Sequence, residues 1–330
     1  MPAELPPLEA LLDGLRVVSI PLRVRFRGVE QRELALLPGP SGWGEWAPFL
    51  EYDAAESARW LTAALESAYA AWPAPVRDRV PVNATVPAVP AGQVPDVLAR
   101  FAGCTTAKVK VAEPGQTLAD DLDRVAAVRD VLGPEGRIRV DANCGWDVRE
   151  ATDALSRLAA YRLEYAEQPC PDVPDLKALR MALARNGIDV PIAADESVRK
   201  AEDPIRVARE EAADLVVVKV APLGGVARAL EIVGECGLPA VVSSELGSSV
   251  GIAAGVALAA ALPELPYACG LGTVRLLTGE VTADPLVPQA GWLTPRRVVA
   301  DPELLDRHAA GPERLAWWRA RLISSYAALG

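Results

Sequence analysis

The sequence predicts an α/β fold built around a barrel of parallel strands, each followed by a helix. Three observations predict it. Eight short apolar runs recur between residues 80 and 273, separated by helix-patterned segments, at roughly the 30-residue spacing of a β-α unit. No Gly-rich phosphate turn follows the first run, as a doubly wound open sheet would want. At 330 residues the chain is long enough for one such barrel and a smaller second unit.

The runs are 82–86, 107–111, 138–141, 163–167, 192–195, 215–220, 240–243 and 267–271, with helical patterns such as 118–132 and 226–236 between them. Ahead of them, residues 1–80 read as a separate α+β unit. Its strands are 16–20, 33–37 and 42–47. The polar stretch Arg23 to Gly28 joins the first two and is expected to be a mobile loop that closes over the barrel mouth. A helix starts at Asp53, with Glu56 placed for a capping pair and Trp60, Leu61, Ala64, Leu65 and Ala68 on its buried face. The barrel is expected over 81–273. From 274 the order is lost, and a last helix from Glu313 to about Leu329 is expected to pack back on the first unit, so that 274–330 completes it.

Net charge is -10, and no Lys/Arg run exceeds a pair, which argues against nucleic acid or an anionic membrane as partner. The longest apolar stretch, 250–262, is too short to span a bilayer. Met1-Pro2-Ala3-Glu4 does not open a signal peptide. Cys104, Cys144, Cys170, Cys236 and Cys269 are scattered without metal-ligand spacing, as reduced thiols of a cytoplasmic protein would be. The single histidine, His308, lies near the C-terminus, so histidine-based catalysis or a His-rich metal site is nearly excluded.

The chemistry is carried by strand ends. Thr106 to Val111 reads as a strand with Lys108 and Lys110 on one face and Ala107, Val109 and Val111 on the other. Two buried ammonium groups demand carboxylates, a metal site or a ligand nearby. Taken alone, an edge strand with both lysines in water explains the pattern equally well. The later strand ends tip the balance, because working residues in such barrels sit at the C-terminal ends of strands. Those ends carry Asp141-Ala142-Asn143, Glu167-Gln168-Pro169, Asp195-Glu196-Ser197, Lys219 and Ser243-Ser244-Glu245. Any one carboxylate among them could be a helix N-cap. Three in succession, without Cys or His, offer hard oxygen ligands that suit magnesium.

These motifs resemble the muconate-cycloisomerase-like branch of the enolase superfamily, over almost the whole chain. Within that branch the chain is most similar to the actinobacterial type of o-succinylbenzoate synthases. The likeness rests on Gly42-Trp43-Gly44-Glu45, Ala47-Pro48-Phe49, Glu51-Tyr52, Val82-Asn83-Ala84-Thr85 and residues 108–115. Cys144 departs from the glycine common in this branch after Asp-Ala-Asn. The resemblance implies a modified TIM barrel, (β/α)7β-like, with an α+β capping domain formed by the N-terminal segment and the C-terminal tail. It implies Mg²⁺, with Mn²⁺ as a substitute, on Asp141, Glu167 and Asp195.

By the same resemblance, Lys110 is the base that takes the proton α to the substrate carboxylate, then protonates the departing hydroxyl. Lys219 supplies charge from the opposite face. The implied reaction is syn dehydration of 2-succinyl-6-hydroxy-2,4-cyclohexadiene-1-carboxylate to 2-succinylbenzoate, a step of menaquinone biosynthesis. Lys108 is expected on the substrate carboxylate, with Asn143 and Glu196 behind the lysines. Ser243, Ser244 and the helix start Gly247-Ser248-Ser249 either bind the succinyl carboxylate through backbone N–H groups or only cap the helix. The same motifs serve N-succinylamino acid racemases and dipeptide epimerases, which use both lysines, and muconate cycloisomerases. A barrel that only binds metal or protein is disfavoured by the intact set of five residues. The expected partner is thus a small-molecule carboxylate, and a monomer is favoured over a homo-oligomer.

Overall fold

The computed structural model describes residues 5–26, 28–199 and 203–329. The chain opens with helix α1 (Leu8–Gly14) and an antiparallel sheet of β1 (Arg16–Phe26), β2 (Val29–Gly39) and β3 (Gly42–Trp46), followed by α2 (Ala54–Tyr69). The carboxylate of Asp53 accepts the Glu56 N–H and fixes the start of α2. After β4 (Val80–Pro81) come β5 (Ala84–Val86), α3 (Val94–Ala99), β6 (Thr106–Lys110), α4 (Leu118–Leu132), β7 (Arg137–Asp141) and α5 (Val148–Leu158). Next are β8 (Leu163–Glu167), α6 (Val173–Arg185), β9 (Ile192–Ala194), α7 (Asp203–Arg209), β10 (Leu215–Val218), α8 (Val226–Cys236), β11 (Ala240–Val242) and α9 (Ser249–Ala261). The chain ends with β12 (Trp292–Leu293), which pairs with β4, then α10 (Pro302–Arg307) and α11 (Pro312–Ala327).

Strands β5 to β11 form one parallel sheet in chain order. The eighth run, 267–271, is not a full strand. Two parallel bridges, Cys269 to Val82 and Gly270 to Ser243, join the two edges of the sheet and close the ring. Gly270 allows that approach, since a Cβ there would meet Ser243 Oγ at 2.5 Å. The result is the α/β barrel of (β/α)7β type.

Strand alternation divides the interior into separate cores. Outward residues such as Ala107, Val109, Ile138, Val140, Val216 and Val218 pack on the helices. Inward residues Tyr165, Ala193, Leu215, Val217 and Val241 fill the lumen with Tyr267. The N-terminal unit has its own core around Trp46, Trp60, Leu61 and Leu65, which Trp318 and Leu322 of α11 complete. Trp318 stacks edge-on against Trp46 at 5.3 Å and donates Nε1–H to Glu33 at 2.8 Å.

Strand β1 runs on to Phe26 instead of ending at Ile20. Leu22, Val24 and Phe26 alternate with exposed Arg23 and Arg25, so the stretch expected as a mobile loop is a strand arm. It turns at Gly28, whose φ of 76° suits glycine; Arg27 lies outside the described residues. Helix α9 is apolar all round and buried all round, wedged between β11, α8 and β3. Among the described residues no helix is long and apolar enough to cross a membrane.

Candidate active site

The C-terminal ends of the barrel strands meet in one cavity lined by Lys108, Lys110, Asp141, Asp195, Lys219, Ser243 and Ser244. Register explains the convergence. Asp141 pairs with Lys110 on one side and with Glu167 on the other, and Ala193, two residues before Asp195, pairs with Glu167. The lysines point into the barrel and are nearly sealed, with Lys108, Lys110 and Lys219 exposed by only 7%, 6% and 7%.

Each ammonium group leans on a carboxylate. Lys108 Nζ lies 2.7 Å from Glu167 Oε1 and 3.3 Å from Asp141 Oδ2. Lys110 Nζ donates to Asp141 Oδ2 at 2.5 Å and also to Asn143 Oδ1. Lys219 Nζ donates to both oxygens of Asp195, with 2.5 Å to Oδ2. Burial opposes the charge on Lys108, yet Glu167 and Asp141 outweigh it and hold its ammonium above the ordinary lysine value.

Among the described residues no three Asp, Glu, Cys or His side chains are gathered around a common point as metal ligands. The donor chemistry nevertheless fits a divalent cation. Burial, then the charges of Asp141 and Asp195, push the Glu167 carboxyl up to about 8. Its Oε2 is buried without a hydrogen-bond partner. A dication beside these oxygens would offset the crowding that single ammonium groups relieve only in part.

Behind Lys110 a hydrogen-bonded chain leads out to the N-terminal unit. Asn143 Nδ2 donates to Glu196 Oε1 at 3.2 Å, Arg199 Nη2 donates to the same oxygen at 2.7 Å, and Arg199 Nη1 donates to the Tyr52 hydroxyl at 2.7 Å. Asn143 and Cys144 sit at φ of 43° and 66°. Left-handed backbone favours glycine or asparagine, which explains why glycine suits position 144. The Cys144 N–H donates to Gln168 O at 2.9 Å, and burial pushes its thiol up to about 12, so it is an unreactive thiol.

The structure brings Ser243 and Ser244 to the cavity but keeps Gly247 and Ser248 out of its lining. The start of α9 is already occupied. Ser248 caps the helix and donates its N–H to Glu45 Oε2 at 3.0 Å, while the Ser249 N–H donates to Glu280 Oε1 at 2.6 Å. Two carboxylates of the chain thus accept the N–H groups at this helix start, the capping alternative of the sequence reading.

Several cavity residues went unread in the sequence. Phe26, at the tip of β1, lies with its ring 4.9 Å from Lys110 Nζ, and Phe49, Thr85, Glu245, Leu246, Gly270 and Thr273 complete the wall. The alternation through Phe26 was the available signal. Gln168 stood in its strand-end motif without a role. Its Oε1 accepts the N–H groups of Asp195 and Ser197, at 2.8 and 3.2 Å, and so fixes the backbone that presents Asp195.

Residues 17–68 match the enolase N-terminal domain-like family, and residues 95–298 match the enolase C-terminal domain-like family. O-succinylbenzoate synthase of Mycolicibacterium smegmatis is 57% identical, over 98% of both chains. The proteins of that name from Mycobacterium bovis and Mycobacterium leprae are 56% and 54% identical, over 98% of this chain and 97% and 95% of theirs. The chain belongs to the o-succinylbenzoate synthase family of the enolase superfamily. The fold extends further. 2-Chloromuconate cycloisomerase from Rhodococcus opacus superposes with a TM-score of 0.76 at 22% identity, over 90% of this chain and 98% of that one. The L-Ala-D/L-Glu epimerase of Bacillus subtilis superposes with a TM-score of 0.73 at 23% identity, over 87% and 96%.

Proposed function

We propose that the chain is a magnesium-dependent o-succinylbenzoate synthase. It dehydrates 2-succinyl-6-hydroxy-2,4-cyclohexadiene-1-carboxylate to 2-succinylbenzoate in menaquinone biosynthesis. The observation that carries the reading is the 57% identity, over 98% of both chains, to an o-succinylbenzoate synthase, and the cavity supplies Lys110 and Lys219, each set against a carboxylate from a different strand end. We assign Asp141, Glu167 and Asp195 as the ligands. These three carboxylates would hold a magnesium ion, whose positive charge would stabilise negative charge on the substrate carboxylate.

The remaining steps belong to the chain. Neutral Lys110 accepts the α proton, and the electron pair delocalises into the carboxylate as an enediolate. The resulting Lys110 ammonium returns that proton to the leaving hydroxyl on the same face. The C–O bond breaks, water departs and the ring becomes aromatic. Lys219 keeps its proton and stabilises the enediolate. Lys108 pairs with the substrate carboxylate, Asn143 orients Lys110, and Ser243 and Ser244 offer hydroxyls to the succinyl arm. Phe26 and Phe49 help to exclude water.

In the division proposed from sequence, residues 1–80 and 274–330 form the cap and 81–273 the barrel. We further propose a cytoplasmic monomer, in keeping with five free cysteines. The test is the rise in ultraviolet absorbance of the aromatic product. Turnover should vanish after EDTA treatment and desalting and return with Mg²⁺. Full activity in metal-free enzyme, or no turnover with metal, would refute the assignment.

A further inference from the structure

Away from the catalytic cavity, an open cleft of about 360 Å³ gathers the guanidinium groups of Arg23, Arg100 and Arg275. They arrive from three separate places: β1, the C-cap of α3, and the helical turn Thr273–Leu276. Arg100 Nη1 and Arg275 Nε are closed to solvent behind this wall and have no hydrogen-bond partner, so the remaining guanidinium N–H groups are the ones available to the cleft. One acid, Glu280, reaches the same wall, and it is already engaged. Its Oε1 accepts the Ser249 N–H at 2.6 Å and its Oε2 accepts the Val281 N–H at 2.7 Å. Val274, Leu277, Pro285 and Val287 make most of the remaining wall apolar, with Thr278 and Gly279 between them.

Three positive charges against one negative leave an excess of two on this wall. Guanidinium forks match carboxylates. An inorganic oxyanion would satisfy the guanidiniums but leave the apolar side facing water. The volume lies within the range of roughly 300–1,000 Å³ usual for small-molecule sites. We propose that this cleft binds an amphiphilic dianion, a compact molecule carrying two carboxylates on an apolar body. The two carboxylates pair with the arginines, and the body lies on Val274, Leu277 and Val287. This inference goes beyond the catalytic assignment and does not depend on it.

The test is calorimetric titration of the whole chain with phthalate at low salt, repeated with inorganic phosphate. Wild type should bind phthalate, and the double variant Arg100→Gln/Arg275→Gln should bind it at least about tenfold more weakly. Val287→Asp keeps every arginine but sets a like charge on the apolar wall, and it should lose phthalate as well. Turnover, measured alongside, reports folding, because none of these residues lines the catalytic cavity. Equal phthalate affinity in wild type and variants, or no binding by wild type, overturns the site. Phosphate binding as tight as phthalate overturns the amphiphilic assignment. A wild type that binds phthalate here but fails to make the aromatic product overturns only the catalytic reading.

Discussion

The barrel buries cations at two depths and treats them in opposite ways. At the floor, Arg139 is fully enclosed. Its guanidinium meets Glu164 Oε2 at 2.5 Å, Ala268 O at 2.5 Å and Asn83 Oδ1 at 3.2 Å, and it lies 4.8 Å from the ring centroid of Tyr165. At the mouth, two residues further along β7, the cations are lysines set against Asp141, Glu167 and Asp195. Guanidinium holds its charge under all conditions and fixes several partners in one plane. An amine can release its proton when a metal, a ligand or a second ammonium changes the local field. The floor therefore carries a permanent charge, while the proposed chemistry asks one of the mouth lysines, Lys110, to give up its proton.

The largest effects should come from erasing exchangeability at the mouth. Lys110→Ala should lower turnover by about 10³–10⁴-fold while circular dichroism stays native. Lys110→Arg should not rescue it, because guanidinium has no accessible neutral form. Lys219→Arg should keep measurable turnover, since a cation suffices there. If Lys219→Arg is as inactive as Lys110→Ala, one-base dehydration gives way to a mechanism in which both lysines move protons.

The floor should respond the other way. Arg139→Ala leaves Glu164 with only the exposed Arg137, at 3.1 Å, and takes the donors from Asn83 and Ala268 O, so it should cost about 3–5 kcal/mol in denaturant unfolding. Arg139→Met fills more of the volume and should cost less. In both, the fraction that remains folded should keep kcat within a few-fold of wild type. A collapse of kcat with stability preserved would show that the floor cation belongs to the chemistry.

The same contrast explains what the sequence could reveal. Strand ends bearing Lys108, Lys110, Asp141, Glu167, Asp195 and Lys219 were legible because period-two alternation and one-per-unit spacing are local signals. The eighth strand was overestimated, because 267–271 has strand-like composition but closes the ring through only two bridges. At the Gly247-Ser248 start of α9 the sequence left two readings open, ligand binding or helix capping. Whether free N–H groups face a ligand depends on who else arrives, and Glu45 arrives from a strand some two hundred residues earlier in the chain. Arg199 and Tyr52 escaped notice likewise, since their link spans the cap and the barrel.

That link gives a moderate prediction. Tyr52→Phe removes the hydroxyl that holds Arg199, and a single hydrogen bond is worth about 1 kcal/mol. Turnover should fall roughly three- to ten-fold with KM little changed, because Lys110 loses orientation rather than substrate contact. Arg199→Gln should do more, since it also removes the donor that Glu196 shares with Asn143. A change confined to KM would instead place Tyr52 in substrate binding.

The smallest effect concerns a charge that neither region resolves fully. Glu45 lies in the seam between β3 and the start of α9, accepting the Ser248 N–H at 3.0 Å and its hydroxyl at 2.5 Å. The helix makes room for it with glycines, as a Cβ at Gly247 or Gly251 would come within 2.5 or 2.3 Å of Glu45 Oε1. Burial pushes the Glu45 carboxyl up to about 7, against the pull of Ser248 and Arg32. The folded state thus holds a proton on Glu45 between about pH 4.5 and 7 that the unfolded chain has released. Its contribution leaves stability unaffected below that window, lowers it progressively through the window, and stays at a fixed penalty above it. The penalty is at most about 3 kcal/mol, and partial solvent access reduces it. Glu45→Gln keeps an acceptor for Ser248 and removes the charge. The difference in unfolding free energy, variant minus wild type, should therefore rise from pH 5 to pH 8 and then level off. A flat difference across that range would mean that Glu45 is already ionised at pH 5, its charge held by Arg32 and the start of α9.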